Sequence, residues 1–296
     1  MADCAERLPP DGAPARLLMP ETLYGRTYTA LMTADPAAKA AQVAALVADW
    51  QAGRLPAGNG RDAPALAVPD AGRPMRPELL PHTDLPRRKP TTPEGHAALL
   101  HAIAHIEFNA INLALDCVYR FRSLPDEFYA GWLQVAAEEA DHFARVCTRL
   151  AALGHAYGDF PAHRGLWDMA VKTAEDPLAR MALVPRVLEA RGLDATPPIV
   201  AALRRIGDAD SIAVLDIILR DEVGHVALGD RWFRHLCAER GLEPEPTYLA
   251  LMADFDAPWP PGPLNVEARR RAGFSAAEIA RLEAGRPRGK VPQSEP

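Results

Sequence analysis

At 296 residues, 48% of them hydrophobic, the chain can bury a substantial core, and one domain with extensions fits it better than two full domains. A formal net charge of −6 argues against a dedicated nucleic-acid binder while leaving room for a local basic patch. Cys4, Cys117, Cys147 and Cys237 show no Cys-x-x-Cys spacing, so a thiolate zinc site is a poor reading, and the last three read as buried free thiols in helices.

In chain order, residues 1–34 read as irregular, with no signal-peptide core between Met1 and Gly12. Apolar runs are broken by charges short of 18 residues, so a soluble, cytoplasmic protein with no membrane segment is expected. Asp35-Pro36 is a strong helix start, capping residue followed by proline, and predicts a helix to about Gly53. From Leu55 to Pro93 prolines are too dense for a regular element, which suggests an extended strap or, alternatively, a disordered linker.

A helix from about Glu94 to Phe121 carries Ile103, Glu107, Ala110, Ala114 and Val118 on one stripe. His101, His105, Asn109, Asn112 and Asp116 form a separate polar line, read as a solvated face. After a short turn, Asp126 to Leu153 forms a second helix with Trp132, Ala136, Glu139, Phe143, Val146 and Leu150 inward. Tyr119, Tyr129 and Trp132 read as core packing rather than as electron carriers. Residues 154–176 are long enough to cross back along a bundle. The third helix opens at Asp176-Pro177, holds Glu189, is expected to kink at Pro185, and to break at Thr196-Pro197-Pro198 before a second piece over 197–206. The fourth follows Gly207-Asp208 to about Arg240, with Leu215, Ile218, Glu222, His225, Gly229 and Trp232 on one stripe. The tail is proline-rich, then has a short helix opened by the capping box Ser275-Ala-Ala-Glu278, and 285–296 reads as disordered. The domain reading is a 1–93 extension, a 94–240 four-helix unit and a 241–296 extension.

Glu139-Ala-Asp-His142 and Glu222-Val-Gly-His225 repeat one motif, and residues three apart on a helix share a face, so each pair can grip one ion. A lone glutamate precedes each motif, Glu107 by 32 residues and Glu189 by 33, so the halves repeat with an offset of 82 to 83 residues. Four-helix bundles holding two iron or manganese ions take a Glu from each of two helices and a Glu-x-x-His from each of the other two. Glu139 and Glu222 are placed to bridge, with Glu107 and His142 on one ion and Glu189 and His225 on the other. Four carboxylates balance two divalent cations, which removes the electrostatic objection to burying them. Asp221 is placed to orient His142, and Glu138 to orient His225. Iron, mixed iron and manganese, and manganese all accept this ligand set.

The run from Glu107 through Glu139-Ala-Asp-His142 and Glu189 to Glu222-Val-Gly-His225 resembles the ferritin-like di-iron carboxylate superfamily. His105-Ile-Glu-Phe-Asn-Ala-Ile, Leu188-Glu-Ala-Arg-Gly-Leu-Asp194, Arg220-Asp-Glu-Val-Gly-His225 and Asn265-Val-Glu-Ala-Arg269 are similar, more narrowly, to a bacterial ferritin-like family of unassigned function. The resemblance implies an all-α, ferritin-like four-helix bundle, two antiparallel helix pairs joined by a long crossover, with two iron ions as cofactors. It implies a use in oxygen-dependent oxidation, with a small-molecule substrate, O2 and an external electron donor as partners. The alternatives it leaves are non-catalytic iron sequestration and peroxide scavenging, and it names neither substrate nor oligomer. A tRNA partner would need Arg87, Arg88, Arg269, Arg270 and Arg271 to form a patch, and a solvated surface is the better reading of those residues.

Overall fold

Most helices begin where capping chemistry and proline place them. The computed structural model describes residues 21–58 and 60–285, and the fold is all-α: among the described residues there is no strand, only an isolated parallel bridge between Leu79 and Ala162. Helix α1 (Leu23–Met32) starts at Thr22, whose side chain accepts from the Gly25 amide at 3.2 Å. It lies in a stretch expected to be irregular up to residue 34. Leu23, Tyr24, Thr27, Ala30 and Leu31 are buried at helical spacing, and burial of that stripe outweighs the weak local propensity. Helix α2 (Pro36–Gln51) begins as expected, Asp35 accepting from the Ala38 amide at 2.8 Å with Pro36 in the first turn.

Between α2 and residue 92 the one helical element among the described residues is a 3-10 turn at His82–Asp84, yet the stretch is held by specific bonds. The Gly72 amide donates to Leu31 O at 3.0 Å and the Leu66 amide to the Tyr119 hydroxyl at 2.7 Å. The Leu80 amide donates to Ala162 O at 2.8 Å. Helices α3 (Pro93–Arg120) and α4 (Asp126–Ala152) follow, with the short α5 (Gly165–Lys172) inside the segment anticipated as a crossover. Then come α6 (Pro177–Leu183), a π-helical turn (Val184–Glu189), α7 (Ala190–Ile206) and α8 (Ala209–Glu239). The tail, expected to hold one short helix, forms three: α9 (Pro244–Asp254), α10 (Val266–Arg271) and α11 (Ala276–Glu283), the last with the anticipated capping box. The expectation for the final residues falls, from 286 onward, outside the described residues.

The chain divides into two compact units, one reaching to Arg76 and including Glu107–Asp141, the other made of Pro77–Ile106 and the chain from His142 onward, so that α3 and α4 each contribute to both without a break. In the first, Tyr24, Phe128, Tyr129 and Trp132 pack edge to face or tilted with centroids 5.8–6.2 Å apart, which is the core role expected of Tyr129 and Trp132. Lys39 is fully buried, its ammonium donating to Ala30 O and Leu31 O at 2.8 Å each and so closing the C-terminus of α1. Cys117 and Cys237 are buried and, like Cys147, form no disulfide; Cys147 is half-buried and its thiol is pushed up to about 11 by burial.

In the second unit α8 packs along α6, the π-turn and α7. The expected disturbance at Pro185 takes the form of the π-turn rather than a simple kink: one residue is added to the turn, so the Ala190 amide reaches Pro185 O, five residues back. The expected break at Pro197-Pro198 does not occur, and α7 runs through both prolines. Pro197 has no N–H for Leu193 O, and the Asn265 side-chain amide donates to that carbonyl instead, at 3.1 Å. Helix α3 has the length and hydropathy of a membrane span, but 78% of its most apolar window is buried in the protein, which makes it a core helix.

The Pro185 ring sits against Gly229 of α8, where an added Cβ would meet its Cγ at 2.2 Å, whereas a Cβ at Gly224 would meet nothing within 4 Å. Gly229→Ala is therefore expected to cost about 1–3 kcal/mol in urea unfolding through overpacking. Gly224→Ala is expected to be neutral or to stabilise by up to about 1 kcal/mol, since it only trades glycine for a better helix former.

Candidate metal centre

The helical stripe of α3 buries Glu107, which is 3% exposed, and that of α4 buries Glu139 and His142, 0% and 1% exposed. Glu222 of α8 is 9% exposed. One ligand atom from each of Glu107, Glu139, His142 and Glu222 lies within 4.8 Å of all the others, so these side chains form a cluster that could hold a metal ion. Three carboxylates at this spacing in a buried place repel one another unless a cation or protons intervene. Glu222 bears on which: its Oε2 is buried with no hydrogen-bond partner, an acceptor left for a cation to fill. Hard oxygens with one imidazole accept several divalent cations, and the donor set does not name one.

The ring Nε2 of His142 lies 3.2 Å from Asp221 Oδ2. Asp221 is held below the usual carboxylate range, first by its bond from the Arg220 guanidinium and then by His142, so it is ionised and accepts the Nε2 proton. That fixes the tautomer, with the proton on Nε2 and the lone pair on Nδ1.

The remaining candidates lie outside this four-residue cluster. His225 is 2% exposed, its Nδ1 3.6 Å from Glu222 Oε1 and its ring centroid 5.8 Å from that of His142. Glu189, the last residue of the π-turn, is half-buried. Glu138 is also half-buried and accepts from Gln134 Nε2 at 2.8 Å.

The family described as "Protein of unknown function (DUF455)" matches residues 32–280. An uncharacterized protein of Haemophilus influenzae is 45% identical over 268 residues, covering 86% of this chain and 92% of the relative. No solved structure matches the chain.

The polar line of α3 is not a solvated face. His101 is 0% exposed and His105 6%, and Asn109, Asn112 and Asp116 are buried with them. The segment after α4 covers the two histidines: the Gly158 amide donates to His101 Nε2 at 2.9 Å, while His105 Nε2 donates to His163 O at 3.0 Å and its Nδ1 takes the Tyr157 hydroxyl proton at 2.9 Å. Helical periodicity in α3 carries no mark of a cover supplied some 50 residues later; His105 and Tyr157 are 52 apart. Arg269, proposed for a basic patch, is 1% exposed and bound to Asp194, so it is not available to a phosphate.

Burial lowers the His101 imidazole to about 4, Asp159 opposing only in part. Between that value and the unfolded value near 6.5, the unfolded chain binds the proton and the native state does not, so stability falls as pH drops through this window. Urea unfolding at pH 7 and pH 4.5 should show a loss of up to about 3 kcal/mol from this group. In His101→Gln, which keeps an acceptor for Gly158 without a titrating ring, the corresponding part of the loss should vanish.

Proposed function

Because the chain belongs to the family described as protein of unknown function (DUF455), its relatives bring no activity with them, and we propose a function from the side chains: a two-metal carboxylate centre in a ferritin-like four-helix bundle, serving an oxygen-dependent oxidoreductase. The observation that carries the reading is the convergence of Glu107, Glu139, His142 and Glu222 within 4.8 Å, three of them almost fully buried, with Glu222 Oε2 lacking a hydrogen bond. Glu189 and His225 would complete the donor set of such a pair of ions, with Glu107, Glu139, His142 and Glu222 holding the rest.

When bound, such a pair of ions supplies the redox chemistry for oxygen-dependent oxidation of a small molecule, with electrons from an external donor. The residues of the chain do the rest. Asp221 holds His142 in one tautomer, and Glu138 is proposed to do the same for His225. The ligand candidates Glu107, Glu139 and His142 are themselves 3%, 0% and 1% exposed, and burial of this kind strengthens the hold of carboxylates on a cation.

Protein purified under reducing, oxygen-free conditions is expected to carry about two iron or manganese ions per chain by elemental analysis, and Glu139→Ala and Glu222→Ala to lose both. A metal-free protein that also refuses ferrous iron would end this reading. Ferrous iron taken up far beyond two per chain would move the protein to iron sequestration, and peroxide consumption without oxygen uptake would move it to scavenging. Asp221→Asn is expected to weaken metal binding by about 10–100-fold, measured by chelator competition, with little change in unfolding of the metal-free protein.

A further inference from the structure

The π-turn decides where Glu189 points. One residue of helix is 100° of rotation, so if Val184–Glu189 relaxed to an ordinary α-turn, everything downstream would turn by about that angle relative to the helix before it. Three main-chain carbonyls between Pro185 and Pro197 receive side-chain donors from the tail of the chain. The Tyr248 hydroxyl donates to Arg186 O at 3.2 Å, Arg269 Nη2 to Ala190 O at 3.4 Å, and Asn265 Nδ2 to Leu193 O at 3.1 Å.

A four-residue ion network and a further ion pair reinforce the same stretch. The Arg186 guanidinium, 0% exposed, stands among the rings of Tyr248, Phe233 and Phe274 at 4.2, 4.5 and 4.9 Å. It binds Asp230 Oδ1 at 3.0 Å and makes a short bond to Glu278. Arg234 takes the second oxygens of the same two acids at 2.8 and 2.9 Å, so two positive and two negative groups balance. Beyond Glu189, Arg269 grips Asp194 with Nη2 at 2.6 Å and Nε at 3.1 Å, and the Asn265 amide adds 2.8 Å to the same carboxylate. Buried ion pairs contribute little net stability compared with apolar packing, but they are satisfied in one geometry only. A slip of one residue would withdraw Arg186 from both acids at once.

We infer that the C-terminal segment from Tyr248 to Glu278 sets the register of the π-turn, and that Arg186, Tyr248, Asn265 and Arg269 are positioning residues for Glu189 as a ligand of the second ion. This rests on the two-metal reading above. The tail thus belongs to the metal centre although none of its residues is a proposed ligand. The competing account is that these contacts merely fasten the tail, and it predicts lower stability with unchanged metal binding.

The test is anaerobic titration of the full-length, metal-free protein with cobalt(II), followed by its visible absorption, in wild type, Tyr248→Phe and Arg269→Gln. Wild type should take two ions per chain. Both variants should keep the first ion with unchanged affinity and bind the second at least tenfold more weakly. Arg240→Gln is the control, because it removes a half-exposed pair with Asp176 at 2.6 Å, at the start of α6, and should retain two ions whatever it does to stability. Should Arg269→Gln fail to fold, Tyr248→Phe, which removes a single hydroxyl, decides alone. Variants that bind the second ion as tightly as wild type would overturn the inference and leave the two-metal reading standing. A wild type that takes up no cobalt would overturn that reading, and this inference with it.

Discussion

Buried carboxylates have to be neutralised, and the arrangement around Glu107, Glu139 and Glu222 follows from that demand. Bringing three acids within 4.8 Å of one another and of a histidine is tolerable only if something positive sits among them or protons are taken up. Asp221 stands behind His142 and accepts its Nε2 proton, which orients the imidazole toward the carboxylates. The fold answers the demand with long helices whose apolar stripes are each interrupted by one or two of these residues. Such interruptions destabilise a helix core unless their charge is met.

The periodic parts of this layout are legible in the amino-acid sequence, because each ligand candidate stands where an apolar residue would otherwise be. Glu107 replaces a core position between Ile103 and Ala110, and Glu139 stands between Ala136 and Phe143. Helix starts with a strong local signal, Asp35-Pro36, Asp176-Pro177 and the Ser275 capping box, are equally readable. What stays hidden is whatever one segment does for another. The histidines of α3 look solvated because nothing within α3 tells of Tyr157, Gly158 and the His163 carbonyl closing over them. The double proline in α7 reads as a break because the donor that replaces the lost N–H is Asn265. Helix α1 hides for a different reason: its buried stripe includes Gly25 and Thr27, residues that weaken a local helix signal.

Charge placement divides the molecule's basic residues into two kinds of work. Arg186 and Arg269 are almost wholly inside, each 4.9 Å from the centre of the Phe274 ring and committed to carboxylates, and they act as planar, multidentate staples rather than as surface charge. Lys39 does a simpler task, ending a helix with an ammonium on two carbonyls. Counting these groups toward a basic surface overstates what a nucleic acid could meet.

The distance along the chain between the irregular helix and its donors also bears on synthesis. Arg186 O waits for a hydroxyl 62 residues later, and Ala190 O for a guanidinium 79 residues later. A ribosome delivering about 5–20 residues per second makes the stretch several seconds before it makes those partners. Until then these carbonyls lack their side-chain donors. The bonds that tie the tail to the π-turn are therefore made only well after the helix they act on has been synthesised.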